Sequence, residues 1–97
     1  MPTVSTHVID GTAGGGRHGV TVDLRDVYGN LVASAVTDSG GRASLGGPFP
    51  VGLYTMTWVL GDFLLRAVSA SFDLSGTGHY HLPVVASPAS ATVYRGV

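Results

Sequence analysis

Four histidines, His7, His18, His79 and His81, are the side chains of this 97-residue sequence that titrate near neutrality unaided. His7 lies in Ser5-Thr6-His7-Val8-Ile9-Asp10, among small and apolar neighbours. That setting suits a general base, or else a strand-surface histidine with no role. His79 and His81 are two residues apart, so on a strand they point the same way. With His7 or His18 they could complete a metal site, although no carboxylate is adjacent in sequence. Arg42 leaves the turn Asp38-Ser39-Gly40-Gly41. It is either a plain exposed residue or a guanidinium fork for an anion or carbonyl. Tyr94 and Arg95 bear on a site only if the chain's tail is docked. Ser5, Ser87 and Ser90 carry hydroxyls, but none sits in a Gly-x-Ser-x-Gly elbow. The glycine-rich loop 11–19 is followed by no helix pattern, so it does not read as a phosphate cradle.

The elements that hold these groups must be strands. Val20, Val22 and Leu24 alternate with Thr21, Asp23 and Arg25, the period of a half-buried strand. Residues 31–36 form the next, across a tight turn at Tyr28-Gly29-Asn30. Further strands are expected over 42–45, 51–60, 67–74, 79–86 and 91–94, besides 4–10. Gly46-Gly47-Pro48-Phe49-Pro50 breaks the pattern, as does Gly61-Asp62. Residues 63–67 have room for one helical turn at most. In 79–86, Pro83 cannot donate to a ladder. Seven or eight short strands at this spacing predict an all-β two-sheet sandwich in one domain over residues 1–97.

Composition narrows the function. Glu and Lys are absent while glycine numbers 15, which disfavours a helical bundle. Without Cys there is no disulfide, thiolate zinc site or thiol nucleophile. A net charge of -1 with no basic run argues against nucleic acid. No apolar stretch is long enough for a membrane span, and the first residues carry no secretion signal. The cytoplasm is the expected location. Charged residues are only 11%, so part of the surface is expected to be covered by copies of the chain.

Five strings resemble the transthyretin-related 5-hydroxyisourate hydrolases. They are Ser5-Thr6-His7-Val8-Ile9-Asp10, Gly19-Val20-Thr21-Val22-Asp23-Leu24, Thr37-Asp38-Ser39-Gly40-Gly41-Arg42, the segment from Tyr80-His81-Leu82-Pro83 to Ser87-Pro88, and Tyr94-Arg95-Gly96. They occur in the family's order over nearly the whole chain. The resemblance implies a two-sheet antiparallel transthyretin sandwich with its short helix reduced or absent. It implies a homotetramer, a dimer of dimers, with sites in the channel between dimers. The implied reaction is hydrolytic ring opening of 5-hydroxyisourate to 2-oxo-4-hydroxy-4-carboxy-5-ureidoimidazoline in urate catabolism. His7 and His81 would activate water and move protons, and Arg42 would bind substrate and steady an oxyanion. Tyr94, Arg95, Gly96 and Val97 would line the site, with no metal or other cofactor. Val97 departs from the family's terminal Ser, and the Phe-Phe-Pro-Glu expected after Gly61-Asp62-Phe63 is missing. The alternatives are a relative acting on another heterocycle and a non-catalytic small-molecule carrier.

Overall fold

The computed structural model describes residues 1–96, all in strands, turns and loops. Nine strands run in chain order: β1 (Thr3–Asp10), β2 (Thr21–Arg25), β3 (Leu31–Val36), β4 (Arg42–Gly46), β5 (Gly52–Val59), β6 (Ala67–Leu74), β7 (His79–His81), β8 (Val84–Ser87) and β9 (Ser90–Val93). They form two sheets, as the alternation predicts. One has the order β4-β1-β8-β9, with β7 also paired to β1; the other has the order β3-β2-β5-β6. Among the described residues no helix is long and apolar enough to cross a membrane.

Alternation decides which face of each strand is buried. Val4, Thr6 and Val8 of β1 point inward, as do Val22 and Leu24 of β2, Tyr54, Met56 and Trp58 of β5, and Val84 and Ala86 of β8. These meet between the sheets as one core. A polar chain crosses the core. Trp58 Nε1 donates to Thr6 Oγ1 at 3.0 Å, and Thr6 Oγ1 donates to the Leu82 carbonyl at 2.7 Å. All three polar groups are satisfied, as burial requires.

The ninth strand arises from proline. Ser5 pairs with His81, and Val8 with Val84, so the register of β7 and β8 against β1 is the same on both sides of Pro83. One continuous pass is interrupted where Pro83 has no N–H to give. Both halves run parallel to β1, whereas β1–β4 and β8–β9 are antiparallel.

Residues 61–66 form an irregular loop instead of a helical turn. Arg17 holds it in place. Its guanidinium donates to the Leu60 carbonyl at 2.9 Å, pairs with Asp62, and lies 3.9 Å over the Phe63 ring. The glycine-rich loop 11–19 packs against the turn before β4, where Gly41 has φ +81 and a Cβ would lie 2.4 Å from the Val8 carbonyl oxygen. Only glycine fits there. That contact sets the start of β4 beside β1.

Candidate active site

The outward face of β1 carries Thr3, Ser5 and His7, because the inward face is taken by Val4, Thr6 and Val8. The β1–β4 register places Arg42 opposite His7 and Ser44 opposite Ser5. The β1–β7 register places His81 beside Ser5, and His79 beside Thr3. Paired residues share a sheet face. Three strands therefore bring His7, Arg42, His79 and His81 to one side of one sheet. A concavity of about 490 Å³ opens there, lined by Ser5, Thr6, Asp38, Arg42, Ala43, Ser44, His79 and His81.

A local turn aims Arg42. Asp38 Oδ1 accepts the backbone N–H groups of Gly40 and Arg42 at 2.9 and 3.0 Å. The two donors hold the Asp38 carboxyl below its ordinary value, so it stays ionised. The Asp38-Ser39-Gly40-Gly41 string is thus an Asx turn feeding a strand. Its Gly40 carbonyl meets His7 Nε2 at 2.9 Å. A carbonyl only accepts, so Nε2 carries the proton and neutral His7 keeps its lone pair on Nδ1.

His81 is mostly covered, and burial holds its imidazole below the ordinary value of 6.5. The charges of Arg42, His79 and His7 push the same way. It is neutral at pH 7. Its Nδ1 lies 2.8 Å from Ser5 Oγ, which leaves Nε2 as its second proton site.

The tail is docked. Tyr94 N–H donates to the Pro83 carbonyl at 3.2 Å, and Gly96 N–H donates to the His81 carbonyl at 2.7 Å. Val84 pairs with Val93, and His81 with Gly96, so the β8–β9 ladder continues across the proline. Gly96 passes so close to His81 that a Cβ there would lie 2.9 Å from the imidazole Cδ2. Arg95 turns elsewhere: its guanidinium stacks 4.1 Å over the Tyr80 ring, and Tyr80 packs on the core side of β7. Within one chain neither Tyr94 nor Arg95 lines the concavity. The expectation for Val97 lies outside the described residues.

Among the described residues no three His or Asp side chains converge as a metal-binding group. His79 instead meets Thr3 and Ser5. Ser44 and the two-sided role of Ser5 are not legible from local sequence. Both follow from which residues face each other across strands, and only the pairing register supplies that.

Residues 4–96 match the family described as HIUase/Transthyretin. The 5-hydroxyisourate hydrolase of Deinococcus radiodurans is 34% identical over 114 aligned positions, which cover 98% of this chain and 96% of the relative. The aligned span exceeds the chain's 97 residues, so the relative carries segments absent here. The structure of Klebsiella pneumoniae 5-hydroxyisourate hydrolase superposes with a TM-score of 0.91 at 32% identity, covering 100% of both chains. Sea bream transthyretin in complex with thyroxine superposes with a TM-score of 0.86 at 22% identity, covering 97% of this chain and 94% of that one. At that identity the likeness is one of fold alone.

Proposed function

Because this chain belongs to the HIUase/transthyretin family, we propose that it hydrolyses 5-hydroxyisourate, opening the ring to 2-oxo-4-hydroxy-4-carboxy-5-ureidoimidazoline in urate catabolism. The observation that carries this reading is the cross-strand pairing of His7 with Arg42, one row from the pairing of Ser5 with His81. His81 and Arg42 line one concavity and His7 stands beside Arg42 on β1, the groups that water attack on a ring carbonyl would use.

Neutral His81 takes a proton from the attacking water at Nε2. The water oxygen bonds to the ring carbonyl carbon, and the carbonyl oxygen gains negative charge. Arg42 faces that charge with a guanidinium fork, which needs no reorientation as the charge develops. The carbon–nitrogen bond then breaks. The departing ring nitrogen takes a proton from an imidazole, and the new carboxylic acid ionises. His7, held through its Nε2–H by Gly40, sits opposite Arg42 to help orient water and substrate. Gly96 lies against the His81 ring. The residues assigned to this chemistry need no metal or organic cofactor.

The assembly that goes with this reading is a homotetramer, a dimer of dimers, formed by residues 1–97 acting as one transthyretin-like unit in the cytoplasm. Each chain's concavity would open onto a channel between dimers, and Tyr94, Arg95 and Val97 would complete the lining. The low charge content supports it. Light scattering on the eluting protein reads this assembly directly, and a clean monomer would remove the channel.

The reaction is tested by following the ultraviolet absorbance of freshly generated 5-hydroxyisourate. The purified protein should speed its decay in proportion to enzyme concentration. An unchanged spontaneous rate overturns the reading.

A further inference from the structure

Behind His81 lies a continuous line of side chains that the reaction just described does not use. Thr3 Oγ1 is 2.6 Å from His79 Nδ1. His79 Nε2 is 2.7 Å from Ser5 Oγ. Ser5 Oγ is in turn 2.8 Å from His81 Nδ1. Each link joins a hydroxyl to a ring nitrogen, and each such group can donate or accept. The line starts at the partly buried His81 and passes through the exposed His79 to Thr3.

We propose that Ser5 and His79 form a proton relay that exchanges protons between His81 and solvent, so that His81 alternates as base and acid at one nitrogen. The proposal rests on the hydrolytic reading above.

The relay has two polarities. In the first, His81 Nδ1–H donates to Ser5, Ser5 O–H donates to His79 Nε2, and His79 Nδ1–H donates to Thr3. His81 Nε2 then holds a lone pair and serves as the base. When Nε2 takes a proton from water, the Nδ1 proton passes to Ser5 Oγ as the Ser5 proton passes to His79 Nε2. His81 is left neutral with its proton on Nε2. The positive charge now sits on His79, which can release its Nδ1 proton to water while Thr3 turns to donate. In this second polarity His81 Nε2–H faces the site as the acid. The reverse transfer returns a proton to Nδ1 as Nε2–H is given to the leaving nitrogen. No bond other than O–H and N–H changes, and no oxidant or reductant is involved.

The surroundings disfavour charge on His81. Arg42 and Ser44 face the same concavity from β4, and His7 stands beside them on β1. Asp38, in the turn ahead of β4, is the carboxylate among the lining residues, and it is already bound to two backbone N–H groups. From the tail, Arg95 is turned onto Tyr80. Burial and the neighbouring cations oppose protonation of His81, while His79 lies open to water. Ser5 and His79 are therefore positioning residues acting through His81.

The test pairs Ser5→Ala and His79→Ala with the conservative Ser5→Thr. With 5-hydroxyisourate, both alanine variants should lose kcat roughly tenfold or more while KM stays within about twofold. Ser5→Thr should recover most of the loss. Millimolar free imidazole should rescue His79→Ala, whose deleted ring leaves a solvent-open gap beside Ser5, and should not rescue Ser5→Ala. The low-pH limb of the rate profile should move in both alanine variants. Unchanged kcat, or a loss with an unmoved pH profile and no imidazole rescue, overturns the relay. Ring-nitrogen NMR separates this from the hydrolytic reading. The His79 and His81 titrations should be coupled in the parent and uncoupled in Ser5→Ala, whether or not 5-hydroxyisourate is turned over. Independent titration in the parent overturns the relay on its own.

Discussion

Trp58 and Thr6 are joined across the sandwich by an indole N–H donated to a hydroxyl at 3.0 Å, and that hydroxyl in turn grips the Leu82 carbonyl. The core thereby holds the residue that follows His81. Replacing Thr6 by Val keeps the shape but strands two buried polar groups. A loss of about 1–3 kcal/mol is expected in urea denaturation. Hydrolysis should fall as well, because Leu82, between His81 and Pro83, keeps only its N–H bond to the Ser5 carbonyl. A Thr6→Val variant as stable as the parent would show that this polar chain holds nothing.

Arg42 is predicted to depend on its fork. Arg42→Lys keeps the charge but loses bidentate geometry. Loss of one oxyanion donor elsewhere costs about 100-fold to 1,000-fold in rate, and kcat/KM here should fall by at least tenfold. The melting temperature should stay near the parent's, since the residue is exposed. Equal activity in the two proteins would remove Arg42 from the chemistry.

His81 gives the protein a pH signature. Burial, then the charges of Arg42, His79 and His7, lower its value below 6.5 in the folded chain. The unfolded chain therefore binds more protons in the interval between the folded value and 6.5. Stability should rise with pH across that interval and be lost on acidification through it. His81→Asn should flatten that part of the profile in denaturant titrations between pH 7 and pH 5. The acid limb of kcat/KM should also lie below the range of a free imidazole.

Gly96 separates folding from activity. A Cβ there would stand 2.9 Å from His81 Cδ2 and 3.0 Å from Pro83 Cγ. Gly96→Ala must push the tail or the imidazole aside. A several-fold loss of kcat/KM is expected with little change in the urea midpoint, because Gly96 lies outside the core. A drop in stability matching the loss of activity would mean that the tail supports the whole sandwich.

The alternation in β2, the strand at 67–74, the turn at Tyr28 to Asn30, and the shared face of His79 and His81 were all legible in the chain, because each depends on neighbours within a few residues. In the turn, Asp26 Oδ1 accepts the N–H groups of Tyr28 and Asn30, the local chemistry its residue types suggest. Less visible was the splitting of residues 79–86 by Pro83, where only the pairing to β1 shows that the register survives. The stacking of Arg95 on Tyr80 could not be read at all, since it depends on how the tail crosses a distant strand. Residues 61–66 stayed irregular because Arg17, more than forty positions away, binds Leu60 and Asp62. The roles of His7, Arg42 and His81 came from motif resemblance. Their meeting required the β1–β4 and β1–β7 registers.

One consequence concerns how this protein can change. β1 presents Val4, Thr6 and Val8 to the interior and Thr3, Ser5 and His7 to the reacting face. Inserting or deleting one residue within it would trade those two sets, because the side-chain period is two. Drift in β1 is thus coupled to survival of the fold, and it offers little room for new specificity. β4 is different: it is the edge of its sheet, and Ser44 is exposed over the concavity. A search for variants that accept a larger or differently charged ring should start at Ser44, which pairs with outward-facing Ser5 and where selection can act on ligand fit with little loss of stability.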